Sequence, residues 1–407
     1  MKSRDATRRS FLGTGALAGA AWTACSAPEA EAPAEPDQPS SLGTPVSRYG
    51  QRSPHEKAAR GVRESQTPEA ASSRTPLDQT YGIITPSALH FERHHAGVPE
   101  IDPATHKLLV HGLVDRPMAF SVDDIKRLPS VSRVHFVECS GNSGGEWSPA
   151  GAPTVALSHG LASCSEWTGV PLRILLEEAG IQPEAKWILA EGADACLMQR
   201  SATLEKALEE GIVAYGQNGE AIRPEQGYPM RLILPGWEGN TNVKWLRRIK
   251  LTAGPQYVKD ETSKYTELME DGTAWIFTFE MDAKSVITAP SGGHMVDGPG
   301  FLEISGLAWS GRGKIRQAEV STDAGQTWTE AELQTPVYSK AFTRFRLPWA
   351  WDGSETVLLS RCRDETGYLQ PGRAELIEQR GRKSAYHCNR IKGWHIAADG
   401  SVTSAEV

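Results

Sequence analysis

The chain has 407 residues, of which 39% are hydrophobic, and its formal net charge is −7. A chain of this length is expected to form two compact domains, with room for an N-terminal appendage. The acidic balance disfavours nucleic acid or an anionic membrane surface as the main partner, so we expect no nucleic-acid binding.

Residues 1–26 have the pattern of an export signal. The pair Arg8 and Arg9 precedes a Ser-Phe-Leu tripeptide and a short run rich in Gly and Ala. That run is too short to span a bilayer, and the arginine pair matches signals of the twin-arginine type. We therefore expect a periplasmic protein that is exported already folded, around a cofactor inserted in the cytoplasm. A lipid anchor at Cys25 and a merely basic, disordered tail are the alternatives.

Residues 80–280 predict a mixed α/β domain that follows a segment of biased composition. The segment, residues 27–79, is rich in Ala, Pro, Glu, Ser and Gln, which predicts a flexible linker or a draped arm. Within the domain, alternating apolar patterns indicate strands, and Ser121 is a typical N-cap for a helix. The predicted strands lie at 107–114, 134–138, 186–190 and 230–235, and the predicted helices at 121–128 and 170–180.

From residue 281 the pattern changes to short alternating runs separated by turns. The predicted strands lie at 301–309, 315–321, 327–331 and 356–363. No helix pattern lies between them, so residues 281–395 predict an immunoglobulin-like β-sandwich, followed by a C-terminal tail at 396–407. The expected fold class is therefore α+β, with a mixed α/β domain followed by a β-sandwich.

One of the six cysteines, Cys139, has the neighbourhood of a functional thiol. None of the six belongs to a C-x-x-C pair or to C-x-x-C-H, so neither a zinc ribbon nor a covalently bound haem is expected on this chain. Cys139 follows the predicted strand 134–138 and enters a Gly-rich loop, where the backbone can approach a ligand closely. A thiolate suits a thiophilic metal, although a lone Cys is more often a buried structural side chain.

Several segments, in their order along the chain, resemble the sulfite oxidase family of molybdopterin enzymes. In the first domain they are 91–95 (FERHH), 138–142 (ECSGN), 167–172 (WTGVPL), 223–236 and 242–246 (NVKWL), and in the second they are 304–311 and 321–328. The resemblance covers roughly residues 80–395. It implies a molybdopterin-binding catalytic domain, a dimerisation domain and a molybdenum-molybdopterin cofactor.

The same resemblance implies a set of site residues. Cys139 is implied as the metal ligand, Arg93 as the side chain that holds an anionic sulfur species, and Tyr265 as a hydrogen-bonding or proton-relaying group. The residues implied to line the cofactor are Phe91, Glu92, Arg93, His94, His95, Asp194, Gln226, Arg231, Asn242, Val243 and Lys244. Gln226 departs from the family pattern, since many relatives have His there, and Gln carries no charge toward a phosphate.

Within the family, the chain looks most like the molybdenum subunit of sulfane dehydrogenases (SoxC), through residues 140–142, 161–167 and 261–265. Sulfite-oxidising relatives often carry two arginines after the Cys-x-Gly-Asn motif, whereas this chain has Ser143 and Gly144. The loss of two cations favours a persulfide sulfur held on a carrier protein over free sulfite. The resemblance implies oxygen-atom transfer from a molybdenum-oxo group to that sulfur. It also implies electron transfer to a c-type cytochrome, and a homodimer that forms a heterotetramer with it.

Three alternatives remain open from the sequence. A sulfite dehydrogenase acting on free sulfite would share the fold and the cofactor. An exported molybdenum reductase of the sulfoxide-reducing kind is disfavoured by the predicted sandwich. A cofactor-free binding module is disfavoured because Cys139, Arg231 and Lys244 occur together.

Overall fold

The computed structural model describes residues 42–382 and 384–407. The predicted signal at 1–26, with Cys25, and the first part of the predicted linker lie outside the described residues. The chain divides into two units between Glu56 and Lys57, and every element below belongs to the second unit. None of the helices in the described ranges has the length and apolar character needed to cross a membrane.

Part of the predicted linker is folded instead of flexible. It contributes β1 (Gly61–Arg63) and β2 (Ser72–Arg74), which form a three-stranded antiparallel sheet with β3 (Glu92–Arg93). Directly after β2, the Thr75 amide donates to the carbonyl of Gly160 at 2.8 Å. The composition favoured a flexible linker or a draped arm, and the paired strands β1 and β2 agree with the second alternative.

The catalytic domain is built on two five-stranded sheets. Its strands are β4 (Lys107–Gly112), β5 (Met118–Ser121), β6 (Val131–Glu138), β7 (Ala162–Pro171), β8 (Trp187–Gly192), β9 (Gln199–Thr203), β10 (Ile212–Gln217), β11 (Glu220–Ala221), β12 (Arg231–Ile233) and β13 (Leu246–Thr252). One sheet has the order β11-β10-β7-β6, with β12 also paired to β10, and the other has the order β5-β4-β13-β8-β9. The β4–β13 pair is parallel and the remaining pairs are antiparallel.

Short helices connect these strands. The α-helices are α1 (Val122–Lys126), α2 (Val155–His159), α3 (Leu172–Ala179), α4 (Leu204–Glu209) and α5 (Lys259–Ser263), and single 3-10 turns lie at Pro68–Ala70, Leu77–Gln79, Ser87–Leu89, Gly144–Trp147, Pro224–Gln226 and Gly239–Thr241. The predicted N-cap is confirmed, since Ser121 Oγ accepts from the Asp124 amide at 3.1 Å. Helix α3 begins two residues later than predicted, because Val170 and Pro171 end β7 and pair with β10.

The C-terminal domain confirms the predicted β-sandwich. A hairpin of β14 (Glu267–Leu268) and β15 (Ala274–Trp275) leads to β16 (Lys284–Ala289), β17 (Gly300–Trp309), β18 (Ile315–Ser321), β19 (Thr329–Leu333), β20 (Thr343–Trp351), β21 (Thr356–Asp364), β22 (Gly393–Ile396) and β23 (Val402–Ala405). The eight strands from β16 onward form one continuous sheet in the order β16-β17-β20-β19-β18-β21-β22-β23. The sheet folds over itself, because Ser285 Oγ donates to Ser360 Oγ at 3.0 Å and Trp394 Nε1 donates to the Ile287 carbonyl at 3.0 Å.

Two expectations for this domain are corrected. Residues 396–407, predicted as a tail, contain β23, which pairs with β22 and completes the sheet. A helix, α6 (Arg373–Arg380), lies between β21 and β22, within the range that was predicted as a β-sandwich. Strands of four residues and a helix rich in charged side chains carry too little apolar periodicity to be recognised from sequence.

The two domains share a hydrophobic core and a buried polar cluster. Phe136 from β6 stacks on Phe342 of the sandwich, with ring centroids 6.4 Å apart. Beside them, the fully buried Glu138 carboxylate accepts from Lys284 Nζ at 2.6 Å and from Trp309 Nε1 at 2.7 Å. The end of β6 is therefore held by the sandwich as well as by its own sheet.

The Glu138 cluster leads to a stability prediction. In Glu138→Gln the buried Lys284 ammonium loses its counter-charge, so we expect the free energy of unfolding to fall by about 3–5 kcal/mol. Urea unfolding followed by tryptophan fluorescence measures the change. The control is Glu303→Gln, which removes an exposed pair with Arg346 and should cost less than about 1 kcal/mol. Equal losses in the two variants would contradict the prediction.

Candidate active site

Two adjoining cavities meet at Cys139. The inner cavity is lined by His90, Phe91, Arg93, His94, His95, Val137, Cys139, Asp194, Met198, Gln226, Arg231, Gly239, Asn240, Asn242, Val243, Lys244, Trp245 and Tyr265. The outer cavity has a volume of 320 Å³ and is lined by Arg63, Ser72, Arg74, Arg93, Cys139, Gly141, Asn142, Ser143, Gly144, Gly145, Leu157, Leu161, Lys264, Tyr265 and Tyr386. Arg93, Cys139 and Tyr265 line both, so the three residues predicted to be catalytic lie at the junction of the cavities.

The Cys139 loop is held by a clamp of backbone and side-chain hydrogen bonds. The Cys139 amide donates to the Leu161 carbonyl at 2.9 Å, and its carbonyl accepts from the Asn142 amide at 2.8 Å. The Asn142 side chain closes the turn, since Nδ2 donates to Glu138 Oε1 at 2.9 Å and Oδ1 accepts from the Leu161 amide at 3.0 Å. Ser143 then takes a left-handed conformation, with φ of 61°. The motif thus fixes the position of the sulfur before any ligand binds.

The backbone at Gly239 approaches the backbone of Glu138 and Cys139 closely. A Cβ atom on Gly239 would lie 2.7 Å from the Glu138 carbonyl oxygen and 3.2 Å from the Cys139 amide nitrogen. Only glycine fits there without a shift of the loop. Burial raises the pKa of the Cys139 thiol, opposed by a backbone hydrogen bond from Gly141 and by the charge of Arg93.

Tyr265 enters the junction from the loop after α5. Its backbone φ is 52°, and its hydroxyl lies 3.0 Å from His95 Nε2. Arg200 lies over the ring, with Cζ 4.7 Å from the centroid, and is itself held by ion pairs to Glu238 and Glu261. Burial raises the pKa of Tyr265 well above its usual value and lowers the pKa of His95 to about 4. At neutral pH the pair is therefore a protonated phenol beside a neutral imidazole.

The inner cavity contains a buried arginine held by carbonyl groups. Arg231 donates from Nη1 to the Gln226 carbonyl and from Nη2 to the Asn242 carbonyl, both at 2.9 Å, while its Nε has no partner. Burial lowers its pKa to about 9. Gln226 in turn donates to the Phe91 carbonyl at 2.9 Å, so its side-chain nitrogen is already used by the protein.

A chain of polar contacts holds Lys244 in the inner cavity. Its Nζ lies 2.8 Å from His94 Nδ1 and donates to the Glu225 carbonyl at 3.1 Å. His94 Nε2 lies 2.7 Å from Glu92, which also pairs with Arg60. Burial, with a contribution from the charge of Arg231, lowers the pKa of Lys244 to about 7.

Glu92 corrects one sequence expectation. It lines neither cavity, and its carboxylate is directed to His94 and Arg60. Alternation along β3 is the physical reason, because consecutive residues of a strand point to opposite faces and Arg93 takes the cavity side. Glu92 therefore holds His94 in position and lines neither cavity.

The side chains of two other predicted lining residues, Asp194 and Asn242, are hydrogen-bonded to protein groups. Asp194 accepts from Cys196 Sγ at 2.8 Å and from the Met198 amide at 3.0 Å. Asn242 accepts from the Leu234 amide at 2.8 Å and donates to the Glu238 carbonyl at 2.9 Å. Asn242 thus shapes the cavity wall by holding its loop.

Several lining residues were not found from sequence. In the inner cavity the main ones are His90, Met198, Asn240 and Trp245, and in the outer cavity they are Arg63, Arg74, Lys264 and Tyr386. Trp245 lies within the quoted segment 242–246 and Asn240 lies two residues before it, so both could have been included. Arg63 and Arg74 lie in a segment predicted to be flexible, so no sequence signal placed them near Cys139.

Two family models match the chain in series. The oxidoreductase molybdopterin binding domain matches residues 95–258, and the Mo-co oxidoreductase dimerisation domain matches residues 275–393. The chain is 44% identical to the crystal structure of the sulfane dehydrogenase SoxCD from Paracoccus pantotrophus, with a TM-score of 0.89 over 90% of this chain and 96% of that chain.

Curated relatives are more distant and longer. Mitochondrial sulfite oxidase of Mus musculus is 30% identical over 67% of this chain and 52% of its own length. The NADPH nitrate reductase of Phytophthora infestans is 30% identical over 69% of this chain and 34% of its own length. The chain thus spans about half of the sulfite oxidase and about a third of the nitrate reductase. The two domain matches and the 44% identity over nearly a whole solved chain show that this protein belongs to the sulfite oxidase family of molybdenum-cofactor oxidoreductases.

Proposed function

We propose that this enzyme oxidises a sulfur atom carried on a partner protein, with its molybdenum cofactor bound in the inner cavity and the sulfur entering through the outer one. The observation that carries the proposal is the position of Arg93, Cys139 and Tyr265 between the two cavities. A group bound in the inner cavity and a substrate in the outer cavity would meet at those three side chains and nowhere else along the two linings.

The inner cavity fits an anionic, hydrogen-bonding cofactor. Three basic side chains, Arg93, Arg231 and Lys244, line it against the single carboxylate of Asp194. The Arg231 Nε has no partner, and Lys244 Nζ lies beside carbonyl groups, an imidazole and the Trp245 ring. A phosphate-bearing pterin would supply the missing negative charge and acceptors. When bound, the molybdenum cofactor supplies oxygen-atom transfer to sulfur and accepts the electrons.

The three side chains at the junction of the cavities would each contribute differently to the reaction. Cys139 offers a thiolate to the metal from a preformed loop. Arg93 holds an anionic sulfur group beside it. Tyr265 holds a proton at its hydroxyl, and the neutral His95 can exchange that proton by a single hydrogen bond of 3.0 Å. The Arg200 cation keeps the phenol ring in place.

Sulfur on a carrier is favoured over free sulfite and over nitrate. The sulfane dehydrogenase structure shares 44% identity with this chain, against 30% for the sulfite oxidase and the nitrate reductase described above. Ser143 and Gly144 line the outer cavity where sulfite-oxidising relatives often have arginines, and their small side chains leave room for a substrate attached to a protein. Free sulfite remains the second candidate substrate.

The wider assembly is part of the same proposal. A homodimer formed through the C-terminal domain is supported by the dimerisation-domain match. A c-type cytochrome as electron acceptor, in a heterotetramer with that dimer, is supported by the similarity to the sulfane dehydrogenase SoxCD. Periplasmic export in the folded state is supported by Arg8 and Arg9 near the N-terminus.

The substrate is tested by comparing rates. With a cytochrome c as acceptor, kcat/KM on a persulfidated carrier protein should exceed kcat/KM on free sulfite by about tenfold or more, because binding of the carrier adds contacts that the small anion lacks. The same carrier with a reduced, unmodified cysteine is the control and should give no turnover. A preference for free sulfite would exclude the carrier-bound substrate in favour of the second candidate.

The metal is tested by elemental analysis of two cysteine variants. Wild type should hold about one molybdenum atom per chain. Cys139→Ala removes a thiolate that is a metal ligand, so this variant should lose turnover while its circular dichroism is unchanged. Cys164→Ala is the matched control, since that thiol is fully buried in the domain core and should retain both metal and activity. Equal turnover in the two variants would remove Cys139 from the site.

The charge of the inner cavity is tested through pH. In cofactor-free protein the pKa of Lys244 is about 7, against about 10.4 in the unfolded chain. Between these values the unfolded state binds one proton more, so the free energy of unfolding should rise with pH by up to about 1.4 kcal/mol per unit. In Lys244→Met this contribution is absent. Urea midpoints at pH 7 and pH 9 measure the difference, and parallel pH profiles of wild type and variant would contradict it.

A further inference from the structure

The three-stranded sheet formed with the N-terminal segment presents arginines to the outer cavity. In its register Ser72 of β2 pairs with Arg63 of β1 on one side and with Arg93 of β3 on the other. Arg74 lies two residues beyond Ser72 and therefore on the same face of the sheet. All four residues line the outer cavity, so one face of this small sheet forms its wall.

Among the described lining residues, no carboxylate balances the charge of this wall. Besides the three arginines, Lys264 lines the outer cavity, and no aspartate or glutamate does. Arg74 is 8% exposed, and its Nε and Nη1 are buried without a hydrogen-bond partner. Burial and the charge of Arg63 lower the pKa of Arg74. Unpaired buried donors and clustered like charges both cost folding free energy, and a bound anion would offset that cost.

The wall also compensates for a departure in the motif loop. Ser143 and Gly144 carry no charge where sulfite-oxidising relatives often have two arginines. Arg63 and Arg74 bring two cations to the same cavity from a different part of the chain, upstream of the residues 95–258 that match the molybdopterin-binding family model. These two cations therefore belong to a segment outside that match.

We propose that Arg63 and Arg74 form a second anion site, which binds a sulfur oxyanion, either free sulfate or a sulfonate group attached to a protein. The outer cavity of 320 Å³ is within the usual size range of small-molecule sites. Planar guanidinium groups bind tetrahedral oxyanions through charge-assisted hydrogen bonds. The site would hold the oxidised sulfur group beside the junction at Cys139. Only one part of this proposal rests on the proposed function, namely that the enzyme's own reaction is the source of the anion.

The site is tested by binding, without turnover. Sulfate and S-sulfocysteine are titrated calorimetrically into the holoenzyme at constant ionic strength set with chloride. We expect saturable binding of one anion per chain, weakened about tenfold or more in Arg74→Gln and partly restored in Arg74→Lys. Arg63→Gln changes an exposed residue of β1 and should also weaken binding. Because an exposed substitution is not expected to disturb folding, this variant tests the site even where the Arg74 variants misfold. Tighter binding of S-sulfocysteine identifies a carried sulfonate, and tighter binding of sulfate identifies the free anion.

Two further variants separate this site from other cationic surfaces and from the metal. Arg133→Gln removes an arginine of β6 that lines neither cavity and should leave both affinities unchanged. Cys139→Ser should still bind sulfate, because the arginine wall does not depend on the metal. Wild-type affinity in both Arg74→Gln and Arg63→Gln, absence of saturable binding, or loss of binding in Cys139→Ser would each overturn the proposal. None of these results depends on whether the enzyme oxidises sulfur.

Discussion

The buried contact between Glu138 and Lys284 is the constraint on which the site depends. Glu138 is the residue before Cys139, and its carboxylate receives Lys284 and Trp309 from the sandwich and Asn142 from the motif loop. A charge in this position cannot be left without partners in a low-dielectric interior. The sandwich, the end of β6 and the motif loop therefore have to assemble together before the Cys139 sulfur has a defined position.

A second chain of contacts links the N-terminal segment to the inner cavity. Arg60 pairs with Glu92, Glu92 contacts His94, and His94 contacts Lys244. Arg60 and Glu92, which line neither cavity, thereby help to orient Lys244, which lines the inner one. The segment contributes to the outer cavity as well, through the arginines of β1 and β2. It is thus part of both halves of the site.

The two cavities differ in how their charge is held. In the inner cavity Arg231 and Lys244 donate to carbonyl groups and an imidazole, and of their side-chain nitrogens only the Arg231 Nε is left without a partner. In the outer cavity Arg74 keeps buried donors without partners. The small residues after the motif, Ser143 and Gly144, indicated from sequence a substrate of lower charge. The structure changes that inference, because cations from another segment restore the positive potential while the space beside the loop stays open.

The sequence by itself determined the family, the order of the two domains and most of the inner site. Cys139, Arg231 and Lys244 lie in local motifs, and a motif is visible because its residues are close together in the chain. Strong apolar periodicity likewise predicted β6, α1 and the sandwich strands β17, β18 and β21, whereas β20 was missed. Only tertiary structure decided three features of the site. Arg63 and Arg74 line the outer cavity, the Glu92 side chain faces away from both cavities, and Glu138 contacts Lys284. Each of these features depends on strand register or on a contact between residues distant in sequence. Such relations produce no local pattern in the amino-acid sequence.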